Sequence, residues 1–159
     1  MQKITPFLWF NDNAEEAMKL YTSIFKNSTV KNANHYPEGF PGVLAGKMMT
    51  ATFELEGTEF MVLNGGPTYQ FNESVSFFVK CETQEEVDYY WDALTADGGQ
   101  EIQCGWLKDK FGLAWQIVPN AMMGFLDHPD REKANRAMQA MMQMKKLDIA
   151  ALQAAFDGK

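Results

Sequence analysis

The sequence predicts an α+β protein of two tandem units, each ordered strand, helix, strand, strand, strand, followed by a helical tail. Three observations favour this fold class: a strand-and-helix pattern that recurs after 70 residues, a turn between two strand-like runs in each half, and a change of composition after Asn120. Such self-similarity indicates a duplicated supersecondary unit. At 159 residues the chain suits a single domain, with unit one at 1–70, unit two at 71–119 and the tail at 120–159.

The first strand and helix of each half carry the repeat. Residues 4–10 form a strand-like apolar run, and Asn13 with Glu16 predicts a capping box at the start of a helix. Residues 74–81 form the second run, and the matching capping box begins at Thr83. Apolar side chains then recur at helical spacing. They are Ala17, Leu20, Tyr21 and Ile24 in the first helix, and Val87, Tyr90, Trp91 and Leu94 in the second.

A pair of strands follows each helix. Aligning the turn glycines Gly57 and Gly112 gives an offset of 55, so the first half carries 15 additional residues. These fall on residues 34–48, which are rich in turn formers and predict a loop that covers a binding site and contains Tyr36. The predicted strands are 49–56 and 59–64 in the first half, and 100–108 and 113–119 in the second.

The tail has its own composition, with six of the 11 methionines but two of the 21 aromatic residues. Asp127 and Pro129 predict the start of a helix that ends at Lys145 and Lys146, where cations suit a helix C-terminus. Asp148 predicts the cap of a last helix over 149–156. The methionine cluster favours packing or a dimer contact over ligand contact. It consists of Met138, Met141, Met142 and Met144.

Charge and composition exclude several classes of function. Acidic residues outnumber basic ones by 21 to 14, and the net charge of −7 argues against a nucleic-acid partner. Two cysteines are too few for a disulfide scaffold, and no apolar run is long enough for a membrane span. With no signal-peptide pattern at the start, we expect a cytoplasmic protein that does not bind membranes.

Reactive side chains are sparse in this sequence. His35 and His128 could each act as a general base, although a solvated loop histidine is the favoured interpretation. Cys81 or Cys104 could be a nucleophile, although a buried inert thiol is favoured. The glycine pairs at 65–66 and 98–99 lack the spacing of a phosphate-binding loop and predict turns.

Five segments together resemble one family. They are ITPFLWF at 4–10, LNGGP at 63–67, CGWLKDKFGL at 104–113, WQIVP at 115–119 and MQMKKLDI at 142–149. The chain resembles the PhnB-like subfamily, historically labelled 3-demethylubiquinone-9 3-methyltransferase, of the glyoxalase and bleomycin-resistance (vicinal oxygen chelate) superfamily. The resemblance implies two βαβββ units in a curved mixed sheet. It also implies a homodimer, which suits the prevalence of C2 symmetry. The two units would pair within each chain or be swapped between the chains.

Metal-dependent members of the superfamily take ligands from the first and last strands of each unit. The resemblance places these positions on Pro6, Met61, Ser76 and Gln116. None is an imidazole or a carboxylate, so we predict neither a catalytic metal nor another cofactor.

Strand alternation then predicts the walls of a pocket. If Pro6 faces the concave side, Leu8 and Phe10 share its face, whereas Phe7 and Trp9 point to the helices. This surface is largely apolar, as in small-molecule sites, and predicts an apolar or aromatic ligand. The predicted pocket residues are Leu8, Met61, Leu63, Ser76, Phe78 and Gln116, with Trp106 and Tyr36 at the rim or lid.

Three functions fit these features. The first is a metal-independent protein that binds a small molecule of unspecified identity. The second is an enzyme of the same fold with a non-metal mechanism that uses Ser76, Gln116 or a thiol. The third is a protein that acts only through a partner, its pocket filled by side chains. The methyltransferase label is interpreted as lineage, because no glycine-rich turn predicts a nucleoside cofactor.

Overall fold

The structure, a computed structural model, describes residues 2–159 and has two compact units. Unit one ends at Phe71, and unit two comprises Asn72 to Lys159, including the tail. No helix within the described residues has the length and apolar character needed to cross a membrane.

Unit one has the predicted strand–helix–strand–strand–strand order. Its sheet has the strand order β1-β4-β3-β2, with β1 parallel to β4 and the other neighbours antiparallel. Between β2 and β3 lies the predicted loop, shorter by three residues because β2 extends to His35 and β3 begins at Met48. The elements are β1 (Phe7–Phe10), α1 (Ala14–Ile24), β2 (Ser28–His35), β3 (Met48–Leu55) and β4 (Thr58–Asn64).

Unit two repeats this order and adds three helices. Its sheet has the strand order β5-β8-β7-β6, with β5 parallel to β8. The two sheets of equivalent topology confirm the duplicated fold class and its helical extension. The elements are β5 (Ser76–Cys81), α2 (Gln84–Thr95), β6 (Gln100–Glu101), β7 (Trp106–Lys108), β8 (Ala114–Pro119), α3 (Asn120–Leu126), α4 (Arg131–Gln143) and α5 (Ile149–Asp157).

Each sheet buries one face against its own helix. In unit one, the ring of Tyr21 on α1 lies 6.5 Å from that of Phe53 on β3, and both residues are buried. In unit two, Trp91 on α2 is buried and its indole Nε1 donates a hydrogen bond to Glu101 at 2.9 Å. Burial of such large aromatic side chains is a major source of stability in small units.

The two predicted capping boxes have different outcomes. In α2 the Thr83 side chain accepts a hydrogen bond from the Glu86 amide, as predicted. In α1 the Asn13 side chain makes no capping hydrogen bond, so that prediction is wrong. The buried Asn64 side chain at the end of β4 supplies the acceptor, taking a hydrogen bond from the Ala14 amide at 2.8 Å.

The tail differs from the prediction at its first helix. Residues 120–126 form α3, which the sequence did not predict, and α4 is capped by Asp130 rather than beginning at Asp127. Helix α4 ends at Gln143, two residues before the lysine pair. Asp148 caps α5 as predicted, and Gly158 ends the helix in a left-handed conformation.

Candidate functional site

Four of the predicted pocket residues lie together on one face of the unit-two sheet. Cross-strand pairing aligns Phe78 of β5 with Gln116 of β8, and Gln116 with Trp106 of β7. Ser76 lies two residues before Phe78 and therefore on the same face. We call this surface, which is opposite the α2-covered side, the unit-two open face.

A hydrogen bond joins the two polar residues of this face. The Gln116 side-chain Nε2 donates to the Ser76 hydroxyl oxygen at 2.9 Å. Within residues 2–159 neither side chain has a further hydrogen-bond partner. The Ser76 hydroxyl proton and the Gln116 carbonyl oxygen can therefore meet a donor–acceptor group on a ligand.

Aromatic side chains border this polar pair. Phe78 is 46% exposed, although it lies in a regular strand, and Trp106 is half-buried. At one end of the face, Val118 is buried by Met122, Leu147 and Leu152 of the tail. The tail therefore covers the carboxyl end of β8 and leaves Phe78 accessible.

In unit one the predicted assignment of the β1 side chains to the two faces of the sheet is wrong. Leu8 pairs with Val62, and both are buried on the side where α1 packs. Phe7 pairs with Met61 instead, and Trp9 with Leu63. The unit-one open face, opposite α1, therefore carries Phe7, Trp9, Met61 and Leu63, whereas Leu8 belongs to the core.

The error has a local cause in the connection between strand and helix. Three residues, 11–13, separate β1 from α1, but only two, 82–83, separate β5 from α2. The repeat offset is thus 70 in the helices and 71 in the first strands. Because side chains alternate along a strand, this one-residue difference moves every β1 side chain to the other face. Thr5, not Pro6, is the counterpart of Ser76.

Trp9 is the largest side chain on the unit-one open face that the sequence analysis had assigned to the helix side. Its indole Nε1 donates to the Gly66 carbonyl at 2.9 Å, and its ring meets Tyr69 edge-on at 5.1 Å. A Cβ at Gly65 would lie 2.3 Å from the Trp9 ring, so a glycine is required there. The glycine pair 65–66 is therefore a turn that packs against an aromatic ring.

Tyr36, the predicted lid residue, is fixed to the end of β4. Its hydroxyl donates to the Asn64 carbonyl at 2.7 Å, and its ring lies 4.4 Å from that of Phe40. Asn64 in turn donates from its side-chain Nδ2 to the Met48 carbonyl at 2.8 Å. The start of the loop is thus tied to the unit-one sheet through Asn64.

The charged residues near the start of α1 line a separate cleft of about 560 Å³. Two ion pairs lie in this cleft: Lys47 contacts Asp12 at 2.8 Å and Lys19 contacts Glu15 at 2.6 Å. Of the residues predicted for the pocket, none lines this cleft.

The titratable candidates occupy structural positions. Burial, together with the negative charge of Glu86, raises the pKa of the Cys81 thiol to about 12, so this thiol is protonated near neutral pH. His128 Nδ1 accepts a hydrogen bond from the Asp130 amide, and its ring packs edge-on against Phe156. His35 lies exposed in β2, not in a loop.

The implied metal positions do not fit a hard or borderline divalent cation. Pro6 has no donor side chain, and its carbonyl accepts a hydrogen bond from the Met61 amide at 2.9 Å. Thr5, the structural counterpart of Ser76, offers only a neutral hydroxyl. Met61 offers a soft thioether, whereas Ser76 and Gln116 offer neutral oxygens. Within residues 2–159 there is no group of three or more His, Cys, Asp or Glu side chains placed to hold a metal.

Comparison with known proteins supports the family resemblance. The family model for 3-demethylubiquinone-9 3-methyltransferase matches residues 2–118, so the match ends before α3. A comparison with curated proteins gives no match.

Solved structures agree with the family match. A protein from Bacillus cereus with the name 3-demethylubiquinone-9 3-methyltransferase, PhnB protein, is 38% identical, with a TM-score of 0.67 over 74% of this chain and 99% of its own. Protein PA1353 from Pseudomonas aeruginosa is 23% identical, with a TM-score of 0.60 over 75% and 98%. The fosfomycin resistance protein FosX from Listeria monocytogenes is 15% identical, with a TM-score of 0.51 over 76% and 93%. The last two indicate the fold alone. The chain therefore belongs to the 3-demethylubiquinone-9 3-methyltransferase family, whose model matches most of its length and which includes the PhnB protein that is 38% identical.

Proposed function

We propose that this protein binds a small apolar or aromatic molecule without a metal, and that the unit-two open face is the core of the site. The observation that carries the proposal is the Ser76–Gln116 hydrogen bond beside the exposed ring of Phe78 and the half-buried ring of Trp106. Small-molecule sites typically combine apolar walls with a few polar groups that fix orientation.

The aromatic side chains would provide the binding energy. Offset or edge contacts between rings contribute about 0.5–1.5 kcal/mol beyond the burial of apolar area. The Ser76–Gln116 pair would fix the orientation of the ligand. A polar group buried in the complex without a hydrogen-bond partner weakens binding, so the ligand would be held with its polar group against this pair.

The chemistry of the side chains favours binding without a metal. Ser76 and Gln116 offer only neutral oxygens, and a methionine thioether is a poor ligand for hard cations. Affinity for the organic ligand should therefore be the same before and after metal removal.

The same side chains favour binding over turnover. Ser76 accepts its hydrogen bond from an amide and does not donate to a base, and the Cys81 thiol is buried and protonated. A nucleophile needs an adjacent base or a lowered pKa. We interpret the activity in the family name as lineage.

A binding assay with matched variants tests the proposal. Heteronuclear NMR would follow the Trp106 indole and Gln116 side-chain amide signals during titration with 2-naphthamide. Phe78→Ala and Gln116→Ala should each weaken binding in a graded way, by about three- to tenfold. Tyr89→Ala is the control, since Tyr89 is 43% exposed on α2, which covers the other side of the sheet. Unchanged affinity in both test variants would refute the proposed site.

A further inference from the structure

The unit-two open face carries two lysine side chains that differ in their pairing. Lys108 contacts Glu73 at 2.8 Å, so its charge is locally compensated. Lys80 on β5 is exposed and, within residues 2–159, has no hydrogen-bond or ion-pair partner. The Lys80 ammonium is therefore available to pair with an anionic group, in a chain of net charge −7.

Lys80 lies where it can reach a ligand bound at Phe78. It is two residues further along β5 and pairs with Val118, two residues beyond Gln116 on β8. Residues at this spacing share a face and lie about 7 Å apart along the strand. Glu82, two residues beyond Lys80, accepts a hydrogen bond from the Asn120 side chain and forms no ion pair with Lys80. An ammonium group thus borders the aromatic and polar residues of the face.

We infer that the ligand is an aromatic carboxylate. The inference rests on the proposed function and specifies its ligand class. The ring would lie against Phe78 and Trp106, a polar substituent would meet Ser76 and Gln116, and the carboxylate would pair with the Lys80 ammonium. Neutral or cationic aromatic molecules would keep the ring contacts but lose the ionic contact.

The net charge of the chain makes this preference informative. A protein of net charge −7 repels anions at long range, so general electrostatics would favour a neutral or cationic ligand. Preference for an anion would therefore report a local cation on the binding face.

Two probes of matching shape test the inference. At low salt, 2-naphthoate should bind about fivefold more tightly than 2-naphthamide, as measured by the NMR signals of Trp106 and Gln116. Lys80→Gln should abolish this preference and leave the affinity for 2-naphthamide unchanged. Glu73→Gln, which releases Lys108 from its ion pair, should tighten binding of 2-naphthoate only. Lys3→Gln is the control, because Lys3 is an exposed lysine of unit one.

The outcomes separate the two claims. Equal affinities for the two probes, unaltered by Lys80→Gln, would overturn the aromatic-carboxylate inference while the proposed binding function remained. If neither probe perturbs the Trp106 and Gln116 signals, both the inference and the proposed function fail. A preference for 2-naphthoate that decreases in 0.5 M salt and disappears in Lys80→Gln would support both.

Discussion

The orientation of β1, with Leu8 in the core and Phe7 on the open face, leads to a quantitative prediction for these two residues. Leu8 is 7% exposed and pairs with Val62 in the core, whereas Phe7 is 50% exposed on the open face. Leu→Ala substitutions in cores cost about 2–5 kcal/mol. Full burial of a Phe side chain is worth about 1.5–3 kcal/mol, so the half that Phe7 buries corresponds to about 1 kcal/mol. Leu8→Ala should therefore destabilise the protein more than Phe7→Ala, although it removes the smaller side chain.

Urea unfolding monitored by circular dichroism measures this difference. With a slope of about 2 kcal/mol/M, Leu8→Ala should lower the midpoint by about 1–2.5 M and Phe7→Ala by about 0.5 M. Equal slopes for the variants would show that the comparison concerns stability alone. A larger loss in Phe7→Ala would refute the register, because it would place Phe7 in the core and Leu8 on the open face.

Three further predictions concern local structure. Gly65→Ala would force the Trp9 ring to move, since the added Cβ would lie 2.3 Å from it, and should cost about 1–3 kcal/mol in thermal unfolding. Gly124→Ala, at a helical site with open space, should be neutral or slightly stabilising; equal effects would contradict the packing. Thr83→Ala should cost about 1 kcal/mol through loss of the α2 cap, whereas Asn13→Ala should cost much less because its side chain caps nothing. Burial raises the pKa of the Cys81 thiol to about 12 in the folded protein. Iodoacetamide at pH 8.5 should therefore leave Cys81 unlabelled in the folded protein and should label it once urea is added. Because this pKa is raised in the folded state, the contribution of the protonated thiol to the free energy of unfolding is fully present below pH 9 and is lost as the pH rises towards 12. If Cys81 in the folded protein were labelled as fast as in the unfolded protein, its burial would be contradicted.

Most of the fold could be predicted because hydrophobic periodicity and turn residues act locally. Apolar residues at helical spacing, among them Tyr21 in one helix and Trp91 in the other, predicted both helices. The turns at Gly57 and Gly112 predicted both pairs of strands. Helix α3 was missed because it begins directly after β8 and has no side-chain cap on Pro119. The first cap was misassigned because its acceptor, Asn64, lies 50 residues away in sequence.

The four unit-two residues share a sheet face, whereas the β1 residues were assigned to the wrong face. Pro6 was matched to Ser76 by the 70-residue offset of the helices, which the additional residue between β1 and α1 invalidates for the first strands. Burial offered an independent signal: β1 alternates between the exposed Phe7 and the buried Leu8. Sequence alone does not distinguish these two apolar residues.

Metal dependence of ligand binding tests the central claim most directly. Affinity for 2-naphthoate would be measured in EDTA-treated protein and again after addition of Mn²⁺ or Zn²⁺, with the Gln116 side-chain amide as the reporter. The account predicts saturable binding in EDTA with an unchanged dissociation constant in either metal, and a ligand at about 100 times that constant should stabilise the fold by roughly 2.7 kcal/mol. Binding that occurs only after a metal is added would contradict it.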